Sequence, residues 1–399
     1  MSTSINTPVY LDYAATTPID PRVIDVMTRY LGTEGTYANP ASRSHMLGWL
    51  AEQAVEGARR QVADLIHADP REIVWTSGAT EADNLALTGL MRALRKDGNH
   101  SGKRHLITST IEHKAIIDTA LSLEQEGIEI SWLTPDNNGR ITPESLAAAM
   151  RPDTALVSLM AVNNEVGSIN DLDALGRIAH EGGALFHVDA AQAAGKIPLN
   201  VEEMPIDLMS LSAHKLYGPK GIGALYVKQG VAIEAIIHGG GHERGMRSGT
   251  LATHQIAGMG KAYELAAQQM YEDRQHLQHL HDRVVQWAGT MEGAYLSIPP
   301  EAQVPNIVSI GFDDIEGQAL LMNLREVAVS NGSACNSATV APSYVLVGVG
   351  VPEKRALATL RISMGRFTTE EEVDFALRSI EGVIARLRPT AVAENSISK

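Results

Sequence analysis

Between residues 44 and 228 the sequence alternates short apolar runs with segments whose apolar residues recur at helical spacing. Short apolar runs between helices are typical of buried parallel strands, because such strands are covered by helices on both faces. The pattern predicts an α/β domain with a mostly parallel seven-stranded sheet. Its strands are expected at 73–75, 105–108, 128–133, 155–160, 184–188, 207–211 and 223–227.

A long helical pattern from about Thr253 to Met291 changes this rhythm. Because 399 residues are enough for two packed domains, we interpret this helix as a connector. The large domain is expected at 15–260, and a smaller α+β domain at 1–14 and 261–399. Strands and helices of the smaller domain are predicted at 306–311, 317–324, 359–364 and 368–387.

The composition excludes several classes of function. A formal net charge of −14 repels phosphate backbones, so direct nucleic-acid binding is not expected. No apolar run approaches the ~18 residues of a membrane span, and the N-terminus has no signal-peptide pattern, so we expect a cytoplasmic protein. No metal site is predicted. The single cysteine, Cys335, is either a small buried apolar residue or a reactive thiol.

A lysine and an aspartate each follow a predicted strand. Lys215 closes Ser-Ala-His-Lys after the run 207–211, and a Gly-Pro-Lys-Gly turn follows it. An amine at a strand end suits a Schiff-base lysine, and Asp189 could face the pyridine nitrogen of pyridoxal phosphate (PLP). Taken alone, Asp189 is better read as a turn residue and Lys215 as a solvated amine. Together they favour a PLP site.

A second motif, Thr-Ser-Gly-Ala-Thr-Glu at 76–81, lies between a predicted strand and a helix. Free amides at a helix N-terminus bind anions, so we assign Ser77, Gly78, Ala79 and Thr80 to the cofactor phosphate. The segment also fits an ordinary helix N-cap with Glu81 in the first turn. The two interpretations are compatible.

These motifs, in this order, resemble the cysteine desulfurases of the NifS/IscS-like group, in the class V aminotransferase branch of fold-type I PLP enzymes. The similarity extends from Tyr10 to Thr369. It implies the fold of a fold-type I PLP-dependent transferase. Its most distinctive motifs stand at 39–45, 76–81, 112–114, 162–165 and 239–250.

The resemblance implies a role for each matching residue around the cofactor ring. Lys215 would form the Schiff base, Asp189 would face the pyridine nitrogen, and His113 would stack on the ring and move protons. Gln192 would bind the phenolic oxygen. Without the motif around it, His113 would be read as an ordinary surface histidine.

Further matches concern the phosphate and the substrate. Ser212 and His214 match phosphate-side contacts, and Thr250 matches a residue that reaches the phosphate of the neighbouring subunit, which implies a homodimer. Asn164, also assigned to the cofactor, and Arg361 match the groups that hold the substrate carboxylate. A guanidinium suits that role because its planar fork matches a carboxylate. The alternative for Arg361 is a surface ion pair.

Cys335 stands in a small, polar segment at 330–337, which is a poor candidate for a core. About twenty residues of loop-like sequence follow it, and the segment resembles the mobile loop of the NifS/IscS-like group. The implied reaction converts L-cysteine to L-alanine and leaves a persulfide on Cys335. That sulfur would serve iron–sulfur cluster assembly, tRNA thiolation or both.

The sequence departs from the family pattern in several places, and two of these departures, at the C-terminal end and at 227–232, bear on the sulfur acceptor. Asn336 and Asn331 replace the Thr and Ser that are common in the family, the end at 391–399 lacks a longer aromatic tail, and 227–232 is poor in arginine. The acceptor, for example an iron–sulfur scaffold protein, therefore stays open. Rival interpretations are transamination, selenocysteine lysis and a catalytically silent scaffold. The presence of both Lys215 and Cys335 disfavours the last.

Overall fold

The computed structural model describes residue 5 and residues 8–96, 102–331 and 341–388. The helices are α1 Pro21–Thr28, α2 Met46–Ile66, α3 Ala79–Asn84, α4 Leu90–Lys96, α5 Lys114–Gln125, α6 Pro143–Ala149, α7 Leu172–Glu181, α8 Thr253–Thr290, α9 Gly317–Asn323, α10 Tyr344–Gly348, α11 Glu353–Leu357 and α12 Glu370–Leu387. The strands are β1 Val9–Tyr10, β2 Ile73–Thr76, β3 His105–Ser109, β4 Glu129–Leu133, β5 Thr154–Met160, β6 Leu185–Asp189, β7 Leu208–Ser212, β8 Gly223–Val227, β9 Ala294–Leu296, β10 Ile307–Phe312, β11 Val327–Ala328 and β12 Thr359–Ser363.

The large sheet has seven strands in the order β2-β8-β7-β6-β5-β3-β4. Strand β8 runs antiparallel to both of its neighbours, and the other pairs are parallel. The predicted seven-stranded, mostly parallel sheet is confirmed. Because parallel strands end at the same edge, the residues that follow β5, β6 and β7 lie side by side.

Burial explains why the strands could be read from the sequence. Every residue of β2, β3, β5, β7 and β8 is buried, so these strands appear in the sequence as short, predominantly apolar runs. Each predicted strand of the large sheet begins and ends within one residue of the observed one. Two strands are less uniformly buried: β6 begins with the partly exposed Leu185, and the edge strand β4 begins exposed.

The smaller unit contains an antiparallel sheet, β12-β10-β9, and a parallel pair, β1-β11. Helix α8, about 57 Å long at 1.5 Å per residue, connects the two cores. Its first half contributes Ile256 and Tyr263 to the core under the large sheet, and its second half contributes Leu280 and Val284 to the core of the smaller unit. The predicted connector helix is confirmed, whereas the division into domains at residue 260 stays a prediction.

One stretch differs from the expectation. The sequence after Cys335 was expected to be loop up to the strand at Thr359, but α10 and α11 occupy part of it. Each helix has only five residues, too few to show a helical period. Among the described residues, no helix has the length and apolar character needed to cross a membrane.

Candidate active site

The candidate site lies where β6 and β7 end. Asp189 is the last residue of β6, Ser212 is the last residue of β7, and the two strands are parallel neighbours. Lys215 follows β7 by three residues. The carboxyl ends of parallel strands are the usual place for a ligand in an open α/β sheet.

The side chain of Lys215 is held by the N-terminal segment. Its Nζ donates to the carbonyl oxygens of Ala14 at 2.6 Å and Ala15 at 2.8 Å. Thr17 fastens the same segment, because its hydroxyl donates to the carbonyl of His214 and accepts from the amide of Tyr217. Residues distant in sequence therefore determine the position of the lysine amine.

Asp189 is buried, and one of its carboxylate oxygens accepts from the amide of Ala191 at 2.9 Å. Burial raises the pKa of Asp189 above its ordinary value, while the nearby charges of His113 and Lys215 lower it. A buried carboxylate needs a cationic partner. A protonated ring nitrogen would supply one, so the residue fits the predicted role.

His113 is the N-cap of α5, and its Nδ1 accepts from the amide of Ala115 at 3.1 Å. Burial lowers the pKa of His113, Lys215 lowers it further and Asp189 opposes both. The neutral ring therefore carries its proton on Nε2. His214 is also neutral, because burial and Lys215 lower its pKa to about 4.

The turn before α3 offers unpaired groups to an anion. Gly78 is the N-cap of α3 and has no side chain to cap the first amides, and a Cβ built on it meets no atom within 4 Å. The buried hydroxyl of Ser212 has no hydrogen-bond partner among the described residues. Ala79 and Thr80 begin the helix, so their amides have no acceptor within it. These groups fit a phosphate.

Glu81 lies in the first turn of α3, as expected, and makes two further contacts. It accepts a hydrogen bond from the amide of Ser77 at 2.7 Å and pairs with the guanidinium of Arg247 at 2.9 Å. The amide of Ser77 is therefore already occupied, and only its hydroxyl is available to an anion. The pair also attaches the segment that carries Thr250, whose side chain is exposed in the single chain, to the phosphate turn.

Gln192 lies beside the lysine. Its Nε2 donates to the carbonyl oxygen of Ala14 at 2.8 Å, the same oxygen that accepts from Lys215. Its Oε1 accepts from Nζ of Lys196 at 2.8 Å. Sequence reasoning missed Lys196, because no motif distinguishes it from a surface lysine.

Arg361, only 5% exposed, lies on β12 and reaches across to the large sheet. Its guanidinium donates to the carbonyl of Asn164 at 2.7 Å and pairs with Asp12 at 2.8 Å. Arg361 Nε and Asn164 Oδ1 are buried and lack partners within the described ranges. These two unpaired groups, a donor and an acceptor, fit a small polar ligand such as an amino acid. Sequence reasoning missed Asp12, although it lies in the Leu-Asp-Tyr motif at the start of the resemblance.

Cys335 lies outside the described residues, but both flanks of its segment are placed. On one side, backbone hydrogen bonds join Ser330 to Arg361. On the other, the hydroxyl of Ser343 donates to the buried carboxyl of Glu165, the residue after Asn164. The described residues on both sides of the segment therefore lie beside the residues predicted to hold the substrate.

Comparisons with known proteins agree with this arrangement. The aminotransferase class-V family model matches residues 9–375. The chain is 55% identical over 383 residues to cysteine desulfurase IscS of Pseudomonas entomophila (strain L48), which covers 96% of this chain and 94% of that protein.

Solved structures show the same fold. A NifS-like protein matches with a TM-score of 0.87 at 37% identity, covering 95% of this chain and 99% of the other. SspA in complex with cysteine matches with a TM-score of 0.77 at 35% identity, covering 90% and 99%. Enzymes of this family use PLP, and the unpaired groups around Lys215 fit that cofactor. The chain belongs to the cysteine desulfurases of the aminotransferase class-V family.

Proposed function

We propose that the protein converts L-cysteine to L-alanine and retains the sulfur as a persulfide on Cys335. The observation that carries this proposal is the meeting of three groups at one sheet edge, Lys215, Asp189 and His113, with Arg361 beside the flank of the cysteine segment. The family membership supports the same reaction.

The chain's residues hold and move protons around the cofactor. Bound PLP supplies an electron sink, since its protonated ring takes up the electron pair left by the α-proton. Asp189 keeps the ring nitrogen protonated. Lys215 Nζ removes the α-proton of the substrate. His113 is neutral and carries its proton on Nε2. It lies close enough to Asp189 and Lys215 for their charges to act on it.

Arg361 and Asn164 hold the substrate carboxylate in this proposal. Asp12 and the carbonyl of Asn164 already fix the guanidinium, so the substrate meets a preorganised cation. The unpaired Nε of Arg361 supplies a donor that water does not reach. Binding then needs little reordering of side chains.

Cys335 acts as the nucleophile. Cys335 follows Ser330 by five positions, so the Cα atoms of the two residues lie within about 18 Å of each other. Ser330 is itself hydrogen-bonded to the backbone of Arg361. This tether allows the thiolate to reach the substrate sulfur. The new S–S bond forms as the substrate Cβ–S bond breaks, and protonation of the three-carbon product gives alanine.

The reaction is tested by identifying products from L-cysteine in the presence of a reductant. Wild-type protein should form alanine and sulfide, and Lys215→Ala should form neither. Cys335→Ser should keep the visible cofactor band but lose alanine and sulfide production. A keto acid formed equally by wild type and Cys335→Ser would instead indicate an aminotransferase and overturn the proposal.

The proposal extends to assembly and to location. We infer a cytoplasmic location from the sequence pattern, and a homodimer because exposed apolar side chains lie just before and at the start of α2 and such patches mark interfaces. They are Tyr37, Met46, Leu47, Trp49 and Leu50. Thr250 would then meet the phosphate bound by the other subunit. A protein such as an iron–sulfur scaffold would accept the sulfur, for cluster assembly or tRNA thiolation.

A further inference from the structure

Lys196 is a half-buried lysine that the proposed mechanism does not use. It follows Gln192 by four residues, and its Nζ donates to Gln192 Oε1 at 2.8 Å. Burial and the positive charges of Lys215 and Arg361 lower the pKa of Lys196 to about 7. Because burial and two neighbouring cations disfavour the charged form of Lys196, the residue is a candidate for a functional role.

The hydrogen-bond chemistry of Lys196 fixes the amide of Gln192. The protonated amine of Lys196 has donors and no acceptor, so in that form it requires the amide oxygen of Gln192 to face it. The carbonyl of Ala14 only accepts, so it must receive Nε2, as it does at 2.8 Å. One hydrogen of the amide nitrogen is thereby used, and the second remains available to a ligand.

The hydrogen bonds of Gln192 also connect Lys196 to Lys215, the residue proposed to bind the cofactor. The carbonyl of Ala14 accepts from both Gln192 Nε2 and Lys215 Nζ, at 2.8 and 2.6 Å. Lys196, Gln192, Ala14 and Lys215 therefore form one connected hydrogen-bonded chain. Lys196 and Lys215 also lie close enough for their charges to interact.

We propose that Lys196 is a positioning residue that holds Gln192 as a hydrogen-bond donor to the phenolic oxygen of PLP and stabilises the ionised oxygen with its charge. This inference rests on the proposed cofactor role of Gln192. An anion at the phenolic oxygen would in turn favour the charged form of Lys196. Removing the charge should therefore raise the pH at which the bound cofactor loses its proton.

Other ionisable groups face Lys196 and must be considered in any pH titration. Lys215 and Arg361 interact with it directly. His214 interacts with it from the loop after β7. The cavity beside Lys196 is also lined by Tyr13, Tyr217, Asp273 and Arg274. None of these groups is altered in the variants below, so a changed midpoint reports on Lys196.

The test is an absorbance titration of the PLP-loaded protein, with a separate measurement of PLP affinity for the apoprotein. Lys196→Met should raise the pH midpoint of the cofactor band by about one unit and weaken PLP binding about tenfold. Lys196→Arg should restore both values. Lys196→Gln, neutral but polar, should shift the midpoint while keeping affinity near that of wild type. Lys354→Met, at a side chain 90% exposed, serves as the control for loss of a lysine charge.

A midpoint unchanged in both Lys196→Met and Lys196→Gln would overturn the inference. So would Lys196→Arg behaving like Lys196→Met, since that result would indicate packing alone. Melting temperatures of the apoproteins show whether each variant is folded. The titration needs no turnover, so a wild-type protein that binds PLP but forms no alanine would refute the proposed reaction while leaving this test intact.

Discussion

Three carboxyl groups lie buried together behind the candidate site. Burial, followed by repulsion from Asp189, raises the pKa of Asp83 well above its ordinary value. Burial likewise raises the pKa of Glu112 to about 8. Asp189 alone has His113 and Lys215 beside it, which favour its ionised form. The negative charge of the group therefore resides on Asp189, where a pyridine nitrogen needs it.

The pH dependence of protein stability tests the raised pKa of Glu112. Its folded-state pKa of about 8 exceeds the ordinary 4.5, so the folded protein binds more protons than the unfolded chain between these values. This group's contribution to stability therefore falls as pH rises through that window. Glu112→Gln should gain melting temperature relative to wild type from pH 5 to pH 8. Exposed Glu124→Gln is the control, and a difference that does not change with pH would contradict the assignment.

Sequence reasoning named the site residues that follow strand ends, and the structure brings Lys215, Asp189 and His113 together there. It could not name Lys196 or the pairing of Asp12 with Arg361. That pair joins residues 349 positions apart, and no local pattern encodes such a contact. A lysine that contacts a glutamine one turn away looks, in sequence, like any surface helix pair.

At the scale of elements, a buried ion pair attaches α2 to the segment before Thr250. Arg59 and Glu243 have side chains only 5% and 3% exposed and approach to 2.7 Å. Glu243 also accepts from the amide of Trp75 on β2 at 2.8 Å. The pair therefore ties together three elements that border the phosphate turn.

Arg59→Met should lower the free energy of unfolding by about 3–5 kcal/mol, because it leaves the buried carboxylate of Glu243 unpaired. Denaturant unfolding measures the loss. Arg60→Met, at the exposed neighbouring position, should change stability by less than ~0.5 kcal/mol. The double variant Arg59→Met, Glu243→Met should recover most of the loss, and failure to recover would argue against an ionic origin.

Helix α10 is fastened to the site by its N-cap. The hydroxyl of Ser343 donates to Glu165 and accepts from the amides of Val345 and Leu346. Ser343→Ala removes the cap and leaves a buried carboxyl without its donor, which should cost about 1–3 kcal/mol. Ser343→Thr keeps the hydroxyl and should lose little. Equal melting temperatures for wild type and the alanine variant would show that the contact does not stabilise the helix.

Element prediction succeeded where burial was uniform and failed where elements were short. The strands β5 and β7 appear as apolar runs because both of their faces are covered. Helices α10 and α11, of five residues each, are determined by tertiary contacts instead. One such contact is the hydrogen bond from Tyr344 to the carbonyl of Glu112 at 2.7 Å.

At the scale of the whole molecule, α8 joins the large sheet to the smaller unit, and α2 packs closely against it. A Cβ on Gly260 would lie 2.6 Å from Cα of Ala58, so this glycine permits the approach. The start of α2, in contrast, presents its large apolar side chains to solvent in the single chain. A molecule built this way leaves an apolar surface uncovered at the start of α2.

We expect a second copy of the chain to cover that surface. Trp49→Asp places a charge among apolar side chains and should convert the dimer to a monomer, as measured by light scattering after size-exclusion chromatography. Met322→Asp, at an even more exposed position on α9, should leave the mass unchanged. A wild-type protein of monomer mass would contradict the homodimer.

The most direct measurement is a single turnover with L-cysteine and no added reductant, quantifying alanine and the mass of the peptide that carries Cys335. The proposed reaction predicts one alanine per active site and a gain of one sulfur atom on that peptide. Alanine without a mass gain at Cys335 would contradict the carrier role. A PLP-loaded protein that gives neither product would contradict the desulfurase reaction itself.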